Sequence, residues 1–520
     1  MTMHRSLLIC LITACMLPGC DSGPDPIDIV QTDAGRISGM RSEDGSVLIF
    51  KGIPFAAPPV GDLRWKRPAP VTPWTGVMAC TTFSASPFQP DPTPFMMYTE
   101  EYLIPDTPIS EDCLYLNVWT HAESSDAELP VLVWMYGGGF ATGGSACPIY
   151  DGEELARKGI VFVSLNYRVG PFGFLAHPDL TKESTVGASG NYGLLDQVAA
   201  LKWVRNNISM FGGDPDRVTI AGQSAGAASV HCLMVSPLSK GLFHGAIGQS
   251  GSALMAPIQM LKDAEQEGAV KGAAMGIGTI DSLRDLSADS ILSGFGTQFR
   301  PILDGYVLAK NPREMMSESD YNDVPLLVGW NLEEGFPGPA QTAAAFERRL
   351  LNEFGKEAFS GLKLHYPSGS DEEALASQRR LNTHQQFALP VQDWASLHSR
   401  NGMSSTFLYV FDHSPPGPEI FRQYSSHHTA EVPYTLHTLH HLDRPWAPVD
   451  LKLEHLLAEY WVQFVKTGNP NRDLLPVWVE FESNDPSLMK FSTTRQDVMT
   501  GMSPIPDLSG MEALRSTRGR

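Results

Sequence analysis

The chain has 520 residues, 42% apolar and 18% charged, which suits a large globular core and excludes a disordered or fibrous chain. Its formal net charge of −20 argues against a nucleic-acid partner, because phosphate is repelled. Seven cysteines are present without metal-ligand spacing, and no metal or cofactor is expected.

Met1 to Arg5 is a short basic start, and Ser6 to Leu17 is a compact apolar run. The run is shorter than the about 20 residues of a membrane span. Residues 1–20 therefore read as an export signal. Leu17-Pro18-Gly19-Cys20 resembles the lipobox of bacterial lipoproteins, whose cysteine is acylated and becomes the mature N-terminus. Ile12-Thr13-Ala14-Cys15 fits the same pattern; Cys20 is preferred, since cutting at Cys15 leaves a very short apolar run. The expectation is an exported protein, periplasmic or at the cell surface, held to a membrane only through that lipid. Residues 21–28 read as a tether, 29–507 as the folded domain and 508–520 as a flexible tail.

Between Ile29 and Ile53, short alternating runs broken by Gly35, Gly39 and Gly45 predict antiparallel hairpins. Cys80 and Cys113 bracket a Pro- and Phe-rich stretch that export exposes to oxidation. Closing that loop stabilises a fold by about 3–4 kcal/mol in the chain-entropy picture. Cys147 and Cys232 read as unpaired. Pro130–Met135 and Gly159–Leu165 are continuous apolar runs of the kind buried on both faces of a parallel sheet. Leu194, Leu195, Val198, Leu201 and Val204 recur at helical spacing. Val324–Val328 and Thr406–Phe411 are further buried strands, whereas 254–300 and 336–403 have helical composition and read as insertions that wall a pocket. Strands alternating with helices predict an α/β fold with a mostly parallel sheet and helices on both sides.

The chemistry starts at Gly222-Gln223-Ser224-Ala225-Gly226, which joins the strand-like Arg217–Ala221 to a helix-forming stretch. A serine at such a strand-to-helix turn is exposed, and the helix N-terminus behind it offers free N–H groups. Serine needs a histidine to take its proton and a carboxylate to orient that histidine. In the α/β-hydrolase order these follow as acid, then histidine. The acid candidates are Glu333 and Glu334, directly after a predicted strand. The base candidates are His427 and His428, of which only His428 has His-x-x-Glu spacing to Glu431. Tyr136-Gly137-Gly138-Gly139-Phe140 follows another strand, and its glycines let backbone amides turn toward a developing oxyanion.

The chain resembles the type-B carboxylesterases, the family of cholinesterases and bacterial para-nitrobenzyl esterases. The resemblance spans nearly the whole mature chain. It runs from Lys51-Gly52-Ile53-Pro54-Phe55-Ala56 and Glu111-Asp112-Cys113-Leu114-Tyr115-Leu116-Asn117-Val118 to Asn191-Tyr192-Gly193-Leu194-Leu195-Asp196-Gln197 and Phe211-Gly212-Gly213-Asp214-Pro215. It ends at Lys466-Thr467-Gly468-Asn469-Pro470-Asn471. The resemblance implies an α/β-hydrolase fold and cleavage of a small-molecule ester through an acyl-enzyme. Ser224 is then the nucleophile, Glu334 the acid and His428 the base, with the amides of Gly138, Gly139 and Ala225 as the oxyanion hole. It also implies a Cys80–Cys113 disulfide and a structural Glu431 bonded to Ser250. Activity is expected to fall on acidification as His428 protonates, near pH ~6–7.

Three departures bear on substrate. Tyr136 stands where many members carry histidine, Gln223 where cholinesterases carry glutamate, and no tryptophan lies between Cys80 and Cys113 to stack on a quaternary ammonium. A choline ester is therefore not the expected substrate. The rival readings are an acyltransferase or amidase with the same triad, and a silent binding member of the fold. Oligomeric state is not legible.

Overall fold

A computed structural model describes residues 28–517 apart from 107, 337, 341 and 420–423. The export signal, Cys15, Cys20 and nearly all of the tether lie outside the described residues.

The centre is an eleven-stranded sheet. In chain order its strands are β1 (Met40–Arg41), β2 (Leu48–Pro54), β3 (Tyr115–Thr120), β4 (Leu129–Met135), β5 (Val161–Leu165), β6 (Gly213–Gln223), β7 (Gly245–Gln249), β8 (Leu326–Asn331), β9 (Thr406–Asp412), β10 (Ser487–Thr493) and β11 (Val498–Pro504). Across the sheet they run β11-β10-β9-β8-β7-β6-β4-β5-β3-β2-β1. Strands β4 to β10 pair in parallel, and antiparallel pairs close both edges. The expected hairpins are present: Ile29–Gln31 pairs antiparallel with Arg36–Ser38, and β1 with β2.

The apolar runs explain the middle of the sheet. Every residue of β5, β7 and β8 is buried, as strands covered on both faces must be. Helix α1 (Tyr192–Asn207) packs on β6 and on α2 (Ala225–Val235), which in turn lies against β4, β6 and β7. Gln197 of α1 donates to Ser229 of α2 at 3.0 Å. Asp196 of α1 holds Arg168 through two buried contacts of 2.7 and 2.8 Å.

Strand order fixes where a site forms. From β4 the chain goes to β5 on one side and then returns to β6 on the other, so the C-terminal ends of β4 and β6 flank a crevice. The glycine-rich loop leaves β4 there, and Ser224 leaves β6.

Two expectations are corrected. Cys80 and Cys113 are separate, buried thiols. Backbone bonds to Ser38 and Lys51 fix Cys80, while Cys113 faces Arg64, Phe88 and Arg168 in another cavity. Burial pushes both thiols up, Cys80 to about 11, away from the thiolate that disulfide formation uses. The expected flexible tail contains a helix, Leu508–Arg515. Met511 and Leu514 lie three apart on one face and are buried in the core.

Candidate active site

Ser224 occupies the turn between β6 and α2 with φ 57° and ψ −121°, a conformation that costs a non-glycine residue about 1–3 kcal/mol. The turn is held from both sides. Ser224 N–H donates to the Gln249 carbonyl at 2.8 Å, and Ala228 N–H donates to the Ser224 carbonyl at 2.9 Å. The flanking glycines are required by contact: a Cβ on Gly226 would lie 2.0 Å from the Met135 carbonyl oxygen. Ser224 is left half-buried at the tip.

The loop after β4 meets it. Gly138 and Gly139 have φ of 112° and 66°, and a Cβ on Gly138 would stand 2.2 Å from the Thr142 carbonyl oxygen. Among the described residues, the amides of Gly138, Gly139 and Ala225 donate to no protein acceptor. The loop is pinned at both ends. Tyr136 and Tyr167 stack at 4.3 Å and donate their hydroxyls to each other's carbonyls, and the Gln89 amide both donates to and accepts from the Gly143 backbone at 2.7 Å.

Glu334 follows β8 and His428 follows β9, so the sheet brings residues 94 apart in sequence together: His428 Nδ1 lies 2.7 Å from Glu334 Oε2. Asn331 N–H donates to the other carboxylate oxygen at 3.0 Å. Both side chains are buried, His428 between the rings of Phe387 and Phe336 at 4.4 and 5.4 Å. The alternatives point elsewhere. Glu333 is exposed, and His427 turns to the Tyr98 and Tyr102 rings while its Nδ1 contacts the His428 carbonyl.

A matching family model covers residues 27–504 and describes the carboxylesterase family. The chain belongs to that family. It is 37% identical over 496 residues to a fumonisin B1 esterase of Sphingopyxis macrogoltabida, covering 91% of this chain and 88% of that one. It is 36% identical over 473 residues to a para-nitrobenzyl esterase of Bacillus subtilis (strain 168), covering 86% of this chain and 91% of the relative. The solved structure of a PNB esterase superposes with a TM-score of 0.78 at 31% identity, covering 94% of this chain and all of that one. The fold is accordingly the α/β-hydrolase fold, and the activity is that of a serine carboxylic ester hydrolase.

In this carboxylesterase the structure brings the elbow, the glycine loop and the acid–histidine pair named from the sequence to one end of the sheet. The sequence reading missed Gln223. Its amide nitrogen lies 3.0 Å from His428 Nε2, and among the described residues no hydrogen bond joins Ser224 to His428. With Glu334 accepting from Nδ1–H, the Nε2 lone pair is free to accept from Gln223, so the contacts select the tautomer a base requires. Ser250 also differs from expectation. Its hydroxyl faces Glu334, outside hydrogen-bond limits, and still favours the charged carboxylate. Glu431 instead accepts from Gln249 at 3.2 Å and from the Asn331 amide.

Burial sets the protonation states. It pushes His428 down to about 4, partly opposed by Glu431. It raises Glu334, and it raises Glu431 to about 7 together with the Glu334 charge. A base must be neutral to accept a proton, and lowering its pKa extends that neutral range toward acid. The acid limb of kcat/KM is therefore expected below the ~6–7 of an ordinary histidine. Activity measured from pH 4 to 8, corrected for reversible stability, checks this; a midpoint near 6.5 contradicts it.

Phe387 was hidden from sequence for a physical reason. Pro390 lacks an N–H and crowds the preceding turn, and the helix from Asp371 accommodates it through a π-helical turn at His384–Ala388. That turn carries Phe387 to the imidazole.

Proposed function

We propose that this carboxylesterase hydrolyses small carboxylic esters with Ser224 as nucleophile, His428 as general base and Glu334 as its orienting acid. The Ser224 hydroxyl adds to the ester carbonyl as His428 Nε2 takes its proton, displacing the Gln223 amide contact. Glu334 stabilises the imidazolium without taking the proton. The tetrahedral oxyanion accepts from the Gly138, Gly139 and Ala225 amides, each donor contributing about 3–4 kcal/mol at the transition state. Collapse breaks the bond to the alcohol, which leaves with the proton from His428. Water then repeats the sequence on the acyl-enzyme and releases the acid.

The observation that carries this reading is the buried 2.7 Å Glu334–His428 contact beside a glycine loop whose Gly138 and Gly139 amides, among the described residues, donate to no protein acceptor. The relatives named for para-nitrobenzyl esters suggest the first substrate. Purified protein should cleave para-nitrobenzyl acetate with ping-pong kinetics and, in stopped flow, release alcohol in a burst equal to the active sites when deacylation is the slower step. Added methanol should partition the acyl group toward methyl ester if an acyl-enzyme forms. Absence of turnover on a panel of neutral esters overturns the proposal.

We also propose export and lipid anchoring at Cys20, supported by the basic start, the apolar run and the lipobox-like Leu17–Cys20. Cys20→Ala should release the protein from the membrane fraction or block its maturation. Unchanged membrane association contradicts the anchor.

A further inference from the structure

A small cavity of about 120 Å³, open to solvent, adjoins Ser224. It is lined by Gly139, Ala225, Ala228 and Cys232 and by Met255 and Ile258. One lining residue is charged, Arg300. Arg300 is exposed, and among the described residues its guanidinium makes no ion pair or hydrogen bond. Arg284 and Arg313, on either side of it in the chain, are committed to Glu183 and Asp393. A chain with 58 acidic and 38 basic residues thus leaves an uncommitted cation on the wall of the cavity beside its nucleophile.

The geometry also says which half of the ester meets it. The leaving alcohol takes its proton from His428 and must sit on the imidazole side of Ser224. His428, Glu334, Phe336 and Phe387 are all absent from the cavity lining. The cavity lies on the oxyanion side and takes the acyl part. Its walls suit methylenes, and Arg300 is the one charged side chain among them. A guanidinium there matches a carboxylate, which it binds through two parallel N–H donors.

We infer that the preferred acyl group carries a second, ionised carboxylate, so that the substrate is a monoester of a dicarboxylic acid whose free end pairs with Arg300. This rests on the esterase reading above. At physiological salt the net charge of the protein acts little on such a substrate at long range. A local cation therefore decides whether it binds, since fields beyond about 8–10 Å are screened at physiological salt.

The test compares mono-(4-nitrobenzyl) glutarate with its neutral isostere, 4-nitrobenzyl 5-methylhexanoate, using the purified enzyme and chromatographic measurement of the released alcohol. The ratio of kcat/KM, hemiester over isostere, is expected at about ten in low salt, the scale of one charge-assisted contact. Arg300→Gln should bring that ratio to about one, Arg300→Lys should keep part of it, and about 0.5 M salt should reduce it in the wild type. A wild-type ratio at or below one, or a ratio unchanged by Arg300→Gln, overturns this inference while leaving the esterase reading intact. Cleavage of neither ester overturns both.

Discussion

Ser224→Ala is expected to lower kcat/KM for para-nitrobenzyl esters by about 10⁴-fold or more, with the fold intact. The effect is large because the two neighbouring serines, Ser250 and Ser252, face other groups. Ser252 is tied to His231 at 3.1 Å, and Ser250 faces Glu334. The residual rate should come from the oxyanion amides and binding alone, about 10³-fold over water. Stability should change little, because Ser224 is half-buried and alanine meets the same left-handed backbone conformation that serine already tolerates. Steady-state kinetics beside a thermal melt check both parts. A variant within tenfold of the wild type contradicts the nucleophile assignment.

Glu334→Gln should lower kcat by about 10³–10⁴-fold with little change in KM. Glutamine keeps the shape and can still accept from Asn331 N–H, but it can turn an N–H₂ toward His428 Nδ1. The imidazole then carries its proton on Nε2 and cannot accept another from Ser224. Glu431 cannot take over, being held by Gln249 and Asn331, and Glu333 is exposed. Kinetics of the variant across pH test this; activity within tenfold of the wild type would move the acid role to another carboxylate.

The difference between what was legible in sequence and what was not follows contact range. The elbow and the glycine loop are local patterns, since close backbone approach at Gly226 and positive φ at Gly138 each demand glycine. The buried strands are likewise local, because a strand covered on both faces must be apolar throughout. Glu334 and His428 were separable from Glu333 and His427 only through spacing and family resemblance, as their contact depends on the order of β8 and β9. Side-chain partnerships across the fold left no local mark. Gln223 at His428, Gln89 at Gly143 and Ser250 at Glu334 rather than Glu431 are all of this kind. Phe387 left one indirect sign, Pro390 inside a helical run. The terminal helix was read as a tail from its place at the chain end, although Leu508, Met511 and Leu514 recur at helical spacing.

The claim on which the rest depends is that Ser224 is activated by His428 to form a covalent intermediate. Labelling the purified enzyme with a fluorophosphonate, followed by proteolysis and tandem mass spectrometry, tests it directly. The account predicts one adduct per chain, on Ser224, formed at a rate that falls steeply in His428→Gln. An adduct on a different residue accompanying full loss of ester hydrolysis, or labelling of Ser224 at an undiminished rate in His428→Gln, would contradict it.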